Sequence, residues 1–200
     1  MIHPDTELRF IHASIGFGVV ATALIPNGTI TWVQDELDQV LTPHAFARLG
    51  RIYSDVVGKY SFVNVRGDYV LCWDLARYIN HSCTPNCLSA GYNFEIAIRD
   101  IRPGEQLTDD YSSLNLEGSF QCYCQTPQCR GTVGDDDIYT HADLWDRQVR
   151  EAFAFIEGQP QPLWPLVEEK TAVMAALQDA SQIASCRVNL RGFERSHSLP

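Results

Sequence analysis

Three cysteines crowd into "FQCYCQTPQCRG" as Cys122-x-Cys124-x4-Cys129, and this spacing constrains the chain more than any other feature. Zinc takes four ligands in a tetrahedron and accepts thiolate sulfur readily, so the triplet supplies three corners and needs a fourth from elsewhere. The spacing is not Cys-x-x-Cys, which argues against a redox pair. Seven cysteines also make an odd count, a poor fit to a complete set of internal disulfides. The remote ligand is sought in "RYINHSCTPNC", residues 77–87, where Cys83 leads and Cys87 stands second. A metal shared this way would fold the 120–130 segment over residues 77–87, as a lid on a site. Cys72 follows the apolar "YVL" and reads as core, while Cys186 is given no role.

The rest of the chain punctuates itself with turn residues. Pro26-Asn27-Gly28 marks a turn between two strands, and Arg66-Gly67-Asp68 marks a hairpin between "YSFVNV" and "YVLCW". "FEIAIRDI" reads as another strand, ended by Arg102-Pro103-Gly104. "LTPHAFARLGRIYSDV" reads as a helix with Thr42 as its N-cap and Pro43 in the first turn. Thr140-His141-Ala142-Asp143 reads as a capping box opening a helix on which Trp145, Val149, Ala152, Phe153 and Ile156 share a face. After "GQPQP" a second helical pattern runs through Leu166, Val173, Leu177 and Ala184. The expectation is a mostly β chain with some α and a C-terminal helical hairpin packed on it.

Charge narrows the partners. The net charge of −10 argues against binding a phosphate backbone and favours a basic partner. Seven acids fall between Gly134 and Glu157, either as a solvated helix face or as an edge that attracts such a partner. No apolar run reaches the eighteen or so residues of a membrane span, and "MIHPDTELRF" lacks a secretory pattern. The expected compartment is the cytoplasm.

"IGFGVVATALIPNGTI", "RYINHSCTPNC", "IRPGEQLTDDY" and "CYCQTPQCRG" occur in an order that resembles the SET-domain protein lysine methyltransferases with a post-SET zinc segment. With no cysteine-rich region ahead of it, the chain resembles the stand-alone members found among bacteria. The resemblance implies a knotted β-clip of small curved sheets over residues 6–113, a post-SET zinc loop at 114–133, a helical region at 134–186 and a tail at 187–200. It implies S-adenosylmethionine as cofactor, with Gly16, Phe17 and Gly18 at its methionine end, Asn80 and His81 as polar contacts, and Phe120 and Tyr123 near its adenine. It assigns one zinc ion to Cys83, Cys122, Cys124 and Cys129, and the catalytic tyrosine to Tyr111, which also borders the cofactor.

The implied chemistry suits these residues. Methyl transfer from a sulfonium to an amine is an in-line displacement in which the protein positions and desolvates. Lysine, with a pKa of about 10.4, must first lose a proton. Tyr111 would orient that amine, His81 would contact the cofactor rather than act as a base, and Glu105 would serve the turn rather than catalysis. The substrate implied is a basic protein: a histone, a nucleoid protein or a ribosomal protein. A host nucleus becomes a second possible location for a delivered effector. One departure stands out: the family usually has Phe or Tyr two residues before the catalytic tyrosine, and here the residue is Asp109. Its carboxylate either faces the substrate channel or points away, so methylation degree is left open. Trp32 in "TWVQDE" is a candidate for the channel wall where many relatives carry a tyrosine. The competing reading is a silent SET fold that binds a partner through its helical tail.

Overall fold

The computed structural model describes residues 1–191, so the expected tail lies outside the described residues from position 192. Small sheets dominate the first two thirds of the chain. β1 (Thr6–His12) and β2 (Gly16–Ala21) form an antiparallel ribbon with a register shift between Phe10 and His12. β3 (Ile30–Val33) opens a second sheet, and β4 (Gln39–Leu41) a third. Helices α1 (Pro43–Ala47) and α2 (Arg51–Tyr60) lead into β5 (Ser61–Val63) and β6 (Tyr69–Leu71), which complete the third sheet in the order β4-β6-β5. β7 (Asn80–His81), β8 (Cys87–Ser89), β9 (Phe94–Ala97) and β10 (Thr108–Asp109) follow. The second sheet runs β3-β9-β8, while β7 and β10 pair in parallel over two residues. β11 (Ser119–Gln121) and β12 (Thr132–Gly134) bracket the cysteine segment, and α3 (Asp137–Phe153) and α4 (Lys170–Gln178) end the fold.

The β3-β9-β8 sheet is buried on both faces, so its strands read as short apolar runs rather than alternations. Ile30, Val33, Leu88, Phe94 and Ile96 face the C-terminal helices, packing with Trp145, Val149, Phe153, Val173 and Ala176. Trp32, Cys87 and Ala97 face the other way, against Val19, Ile25, Cys72, Ile101 and Leu107. The helical faces expected from periodicity therefore pack on the domain. Glu95 breaks the pattern. It lies within "FEIA", directly opposite Trp32, and strand alternation turns it to the Trp32 face.

Local signals held where the chemistry was local. The 66–68 hairpin forms, and Thr42 caps α1 with its hydroxyl oxygen 3.2 Å from the Ala45 amide. Thr29 N–H closes the Pro26 turn at 3.1 Å, but the flanking strands belong to different sheets. The helix expected over 41–56 breaks at Gly50, which becomes the N-cap of α2. "FEIAIRDI" stays a strand only to Ala97; Ile101 returns as an isolated bridge to Ile25. α3 begins three residues ahead of the expected cap. Thr140 sits inside its first turn with its hydroxyl donating to the Asp137 carbonyl, and the Asp137 carboxylate accepts from the Gly134 amide. The last helix is shorter than its pattern, ending at Gln178, with 3-10 turns at Ala180–Gln182 and Cys186–Asn189. The acidic face of α3 is partly structural: Asp146 accepts from the buried Cys186 amide and Asp143 pairs with Arg187.

Candidate active site and metal centre

Two polar stretches, 80–86 and 105–109, are laced together beneath the sheets. Ser82 N–H donates to the Asp109 carbonyl at 2.9 Å and Asn86 N–H to the Thr108 carbonyl at 3.1 Å. The Asn86 side chain returns the contact, donating to the Gln106 carbonyl and accepting from Thr108 N–H. Asn80 extends the lacing to β2, its amide donating to the Phe17 carbonyl at 3.0 Å and to Gln106 Oε1 at 3.1 Å. Gly18 permits that approach: a Cβ there would lie 2.6 Å from Asn80 Nδ2 and 2.9 Å from Ile11. Gly16, at φ +89°, has nothing within 4 Å of where its Cβ would stand, which leaves an open rim of backbone.

The four cysteines meet. The Sγ atoms of Cys83, Cys122, Cys124 and Cys129 all lie within 4.8 Å of one another, and all are free thiols. Cys83 and Cys122 are 3.7 Å apart, close to the roughly 3.8 Å edge of a sulfur tetrahedron around zinc. Backbone amides of Arg130, Cys124 and Gly131 point at Cys83, Cys122 and Cys129 from 3.3 to 3.4 Å, as suits charged thiolates. The donor set and spacing fit one zinc ion. Cys87 lies elsewhere, fully buried on β8 in the core with Ile25 and Leu107. Cys72 belongs to that core as well, and Cys186 is buried against α3.

His81 joins the cysteines to Tyr111. The Tyr111 amide donates to His81 Nδ1 at 3.3 Å, so the ring proton resides on Nε2, which is 3.4 Å from Cys83 Sγ. Burial pushes its pKa down to about 4, outweighing the opposing charge of Asp110, so the ring is neutral. The Phe120 ring stands edge-on to His81 at 5.3 Å and tilted against Tyr111 at 6.0 Å. Tyr123 does not join them and is 53% exposed. Arg130, next to the last cysteine, reaches the buried Asp110 carboxylate with Nη2 at 2.8 Å from both oxygens.

On its other side Tyr111 borders a cavity of about 280 Å³, walled by Trp32, Phe62, Ala76 and Ile79. Trp32 meets Phe62 edge-to-face at 5.7 Å within that wall. The Tyr111 hydroxyl donates to the Ile79 carbonyl at 2.6 Å, which leaves its oxygen lone pairs toward other donors. Burial first, then the charges of Asp109 and Glu95, push its pKa well up, so it stays a neutral phenol. Asp109 is among the residues lining the cavity, and so is Glu95, whose carboxyl lies within hydrogen-bonding reach of it. Glu95 escaped the sequence reading, although a single acid inside the apolar "FEIA" was its signal. Glu105 accepts from the Arg102 amide and pairs with Arg99, which suits the turn role read for it.

Residues 16–112 match the SET domain family. The chain is similar to Histone-lysine N-methyltransferase Set2 of Drosophila melanogaster, 34% identical over 146 residues that cover 66% of this chain and 6% of that protein. It is also similar to Histone-lysine N-methyltransferase, H3 lysine-36 specific, of Schizosaccharomyces pombe, 32% identical over 156 residues, 72% of this chain and 19% of that one. The chain thus spans less than a fifth of the length of these relatives. Among solved structures, the methyltransferase domain of human Histone-lysine N-methyltransferase SETMAR aligns with a TM-score of 0.45 at 20% identity, over 66% of this chain and 57% of that chain.

Proposed function

Residues 16–112 are a SET domain, and from that premise we propose that the chain is an S-adenosylmethionine-dependent protein lysine N-methyltransferase that modifies a histone or another basic protein. The observation that carries this reading is the position of Tyr111. Its ring touches His81 and Phe120, while its hydroxyl, fixed on Ile79, borders the aromatic-walled cavity. S-Adenosylmethionine, when bound, supplies a methyl group already activated by its sulfonium. Gly16, Phe17, Gly18, Asn80 and His81 are the residues to bind and orient it, with Phe120 over its adenine; Tyr123, half-exposed, takes no assigned contact.

The remaining work belongs to this chain's side chains. Trp32, Phe62 and Ile79 strip water from an entering lysine, which favours its neutral amine. The Tyr111 oxygen accepts one N–H of that amine and aims its lone pair along the line of displacement. Because Tyr111 stays protonated, it orients and does not abstract. Zinc on Cys83, Cys122, Cys124 and Cys129 would fasten the Phe120–Arg130 segment to the Asn80–Cys83 stretch. The net charge of −10 favours a Lys- and Arg-rich substrate.

The test is transfer of a labelled methyl group from S-adenosylmethionine to core histones, a bacterial nucleoid protein and a ribosomal fraction. Label on lysine is expected in at least one, and its loss is expected with Tyr111→Phe. No label in any of the three, together with no cofactor binding by calorimetry, would reject the reading.

A further inference from the structure

Three acids border the cavity and the reaction outlined above uses none of them; Glu117 is exposed and pairs with Arg191 at 3.3 Å, which leaves two. Glu95 reaches it from β9, opposite Trp32, and Asp109 reaches it from β10, two residues ahead of Tyr111. Asp109 is 1% exposed and Glu95 8%. The two side chains lie within hydrogen-bonding reach of each other. Asp109 Oδ1 accepts from the Asp110 amide at 2.6 Å, yet Asp109 Oδ2 and Glu95 Oε2 are buried without a protein partner among the described residues. Buried polar atoms are nearly always paired, and a proton held between the two carboxyls pairs these oxygens, leaving Glu95 Oε1 as the accessible oxygen of the pair with no bond among the described residues. Lys59 and Arg77 also border the cavity, but Lys59 lies over the Tyr60 ring and Arg77 is bound to the carbonyls of Trp73 and Asp74.

Two carboxylates in contact away from water cannot both be ionised, so the pair keeps one proton and a net charge of −1. That charge matches the lysine ammonium ion as it enters, before its proton is lost, and Glu95 Oε1 is the acceptor left for its N–H donors. Both features are missing from a wall made only to exclude water.

We infer that Glu95 and Asp109 form a proton-sharing carboxyl pair that recognises the N–H groups of the amine entering this cavity, so that unmethylated lysine is preferred and each added methyl group weakens its hold. The inference rests on the cavity being the lysine channel proposed above. A methyl group turned toward the pair removes a donor and leaves a buried acceptor unpaired. A fully methylated nitrogen keeps its charge but has no N–H to give.

The experiment uses two small probes and no methyl donor: n-butylammonium and n-butyltrimethylammonium, titrated into the full chain with ligand-observed NMR. The wild-type protein should bind n-butylammonium about tenfold or more tightly than the quaternary probe, as expected when charge-assisted hydrogen bonds separate the two. In the isosteric Glu95→Gln/Asp109→Asn variant that ratio should fall toward one. Equal binding by the wild type, preference for the quaternary probe, or binding of neither overturns the inference, whether or not the variant folds. So does a ratio that survives in a folded variant. Because no methyl group is transferred, selectivity here, with no label on any of the three substrates and no cofactor binding, would reject the methyltransferase reading and leave amine recognition by the pair standing. Labelled histone without selectivity would do the reverse.

Discussion

Arg130 places Nη2 2.8 Å from both oxygens of the Asp110 carboxylate, and so ties the cysteine segment to the residue beside Tyr111. Asp110 is 1% exposed at its side chain and has few other partners: the Ser112 amide and hydroxyl, and His81 at 3.6 Å. Arg130 also meets Asp137 at 3.3 Å, which anchors the start of α3. Removing one member of a buried pair strands the other charge and typically costs about 3–5 kcal/mol. Arg130→Ala should therefore destabilise the protein strongly in urea unfolding. The Arg130→Met/Asp110→Asn double variant should be less damaged than Arg130→Ala alone. If the double variant loses as much as the two single changes summed, the pair is not coupled.

Metal content separates the two cysteines of the Asn-His stretch. Cys83 lies in the cluster and Cys87 in the core. Purified protein should contain one zinc ion per chain by elemental analysis. Cys83→Ser should lower that content and loosen S-adenosylmethionine binding, because the metal then no longer joins the two segments. Cys87→Ser should keep its zinc and lose stability instead. Zinc-free protein with intact cofactor affinity would contradict the coupling.

Tyr111→Phe tests orientation by the hydroxyl. Turnover should fall on the order of a hundredfold or more, as when other positioned donors at a transition state are removed. Cofactor affinity should stay near that of the wild type. The Ile79 carbonyl loses its donor, so a stability loss of about 1 kcal/mol is also expected. Stopped-time transfer assays and thermal unfolding on one preparation read both effects.

The carboxyl pair makes stability depend on pH. Burial pushes Glu95 up to about 7 and Asp109 well above the carboxylate range. Unfolded carboxyls titrate near 4, so between roughly pH 4 and 7 the folded chain holds more protons than the unfolded one. The stabilisation is fully present below the unfolded values and is lost as pH rises through 7. Tyr111, Cys72 and Cys87 also face this region and are held neutral by burial, while Asp110 is bound by Arg130. Urea unfolding of wild type minus Glu95→Gln/Asp109→Asn should show the wild type losing ground from pH 6 to pH 8. Taking the difference removes the proton dependence of the zinc thiolates. A flat difference would rule out the shared proton.

What the sequence disclosed depended on how local each signal was. Thr42 and Gly67 act through near neighbours and form the cap and the hairpin read for them, and the Cys122–Cys129 triplet does gather its sulfur atoms at one point. Cys83 and Cys87 differ in fate only because β8 starts between them and turns Cys87 into the core, which spacing alone does not reveal. The orientation of Asp109 was open because a two-residue strand has no period to read. Glu95 was passed over because its meaning comes from Trp32 and Asp109, far away along the chain. The start of α3 was misjudged because Asp137, not Thr140, bonds the preceding loop.

The parallel pairing of Asn80–His81 with Thr108–Asp109 has a consequence for how the protein is made. The contact encloses β8 and β9, so the chain must close that long loop before the pairing returns any energy. Such non-local closures slow folding, and this one brings Asn80 and His81 beside Asp109, two residues ahead of Tyr111. The amides of Ser82, Asn86 and Thr108, bonded across this closure, should therefore be among the last to acquire protection from solvent exchange during refolding. A chain collapsed short of this step would have a finished outer fold and no site.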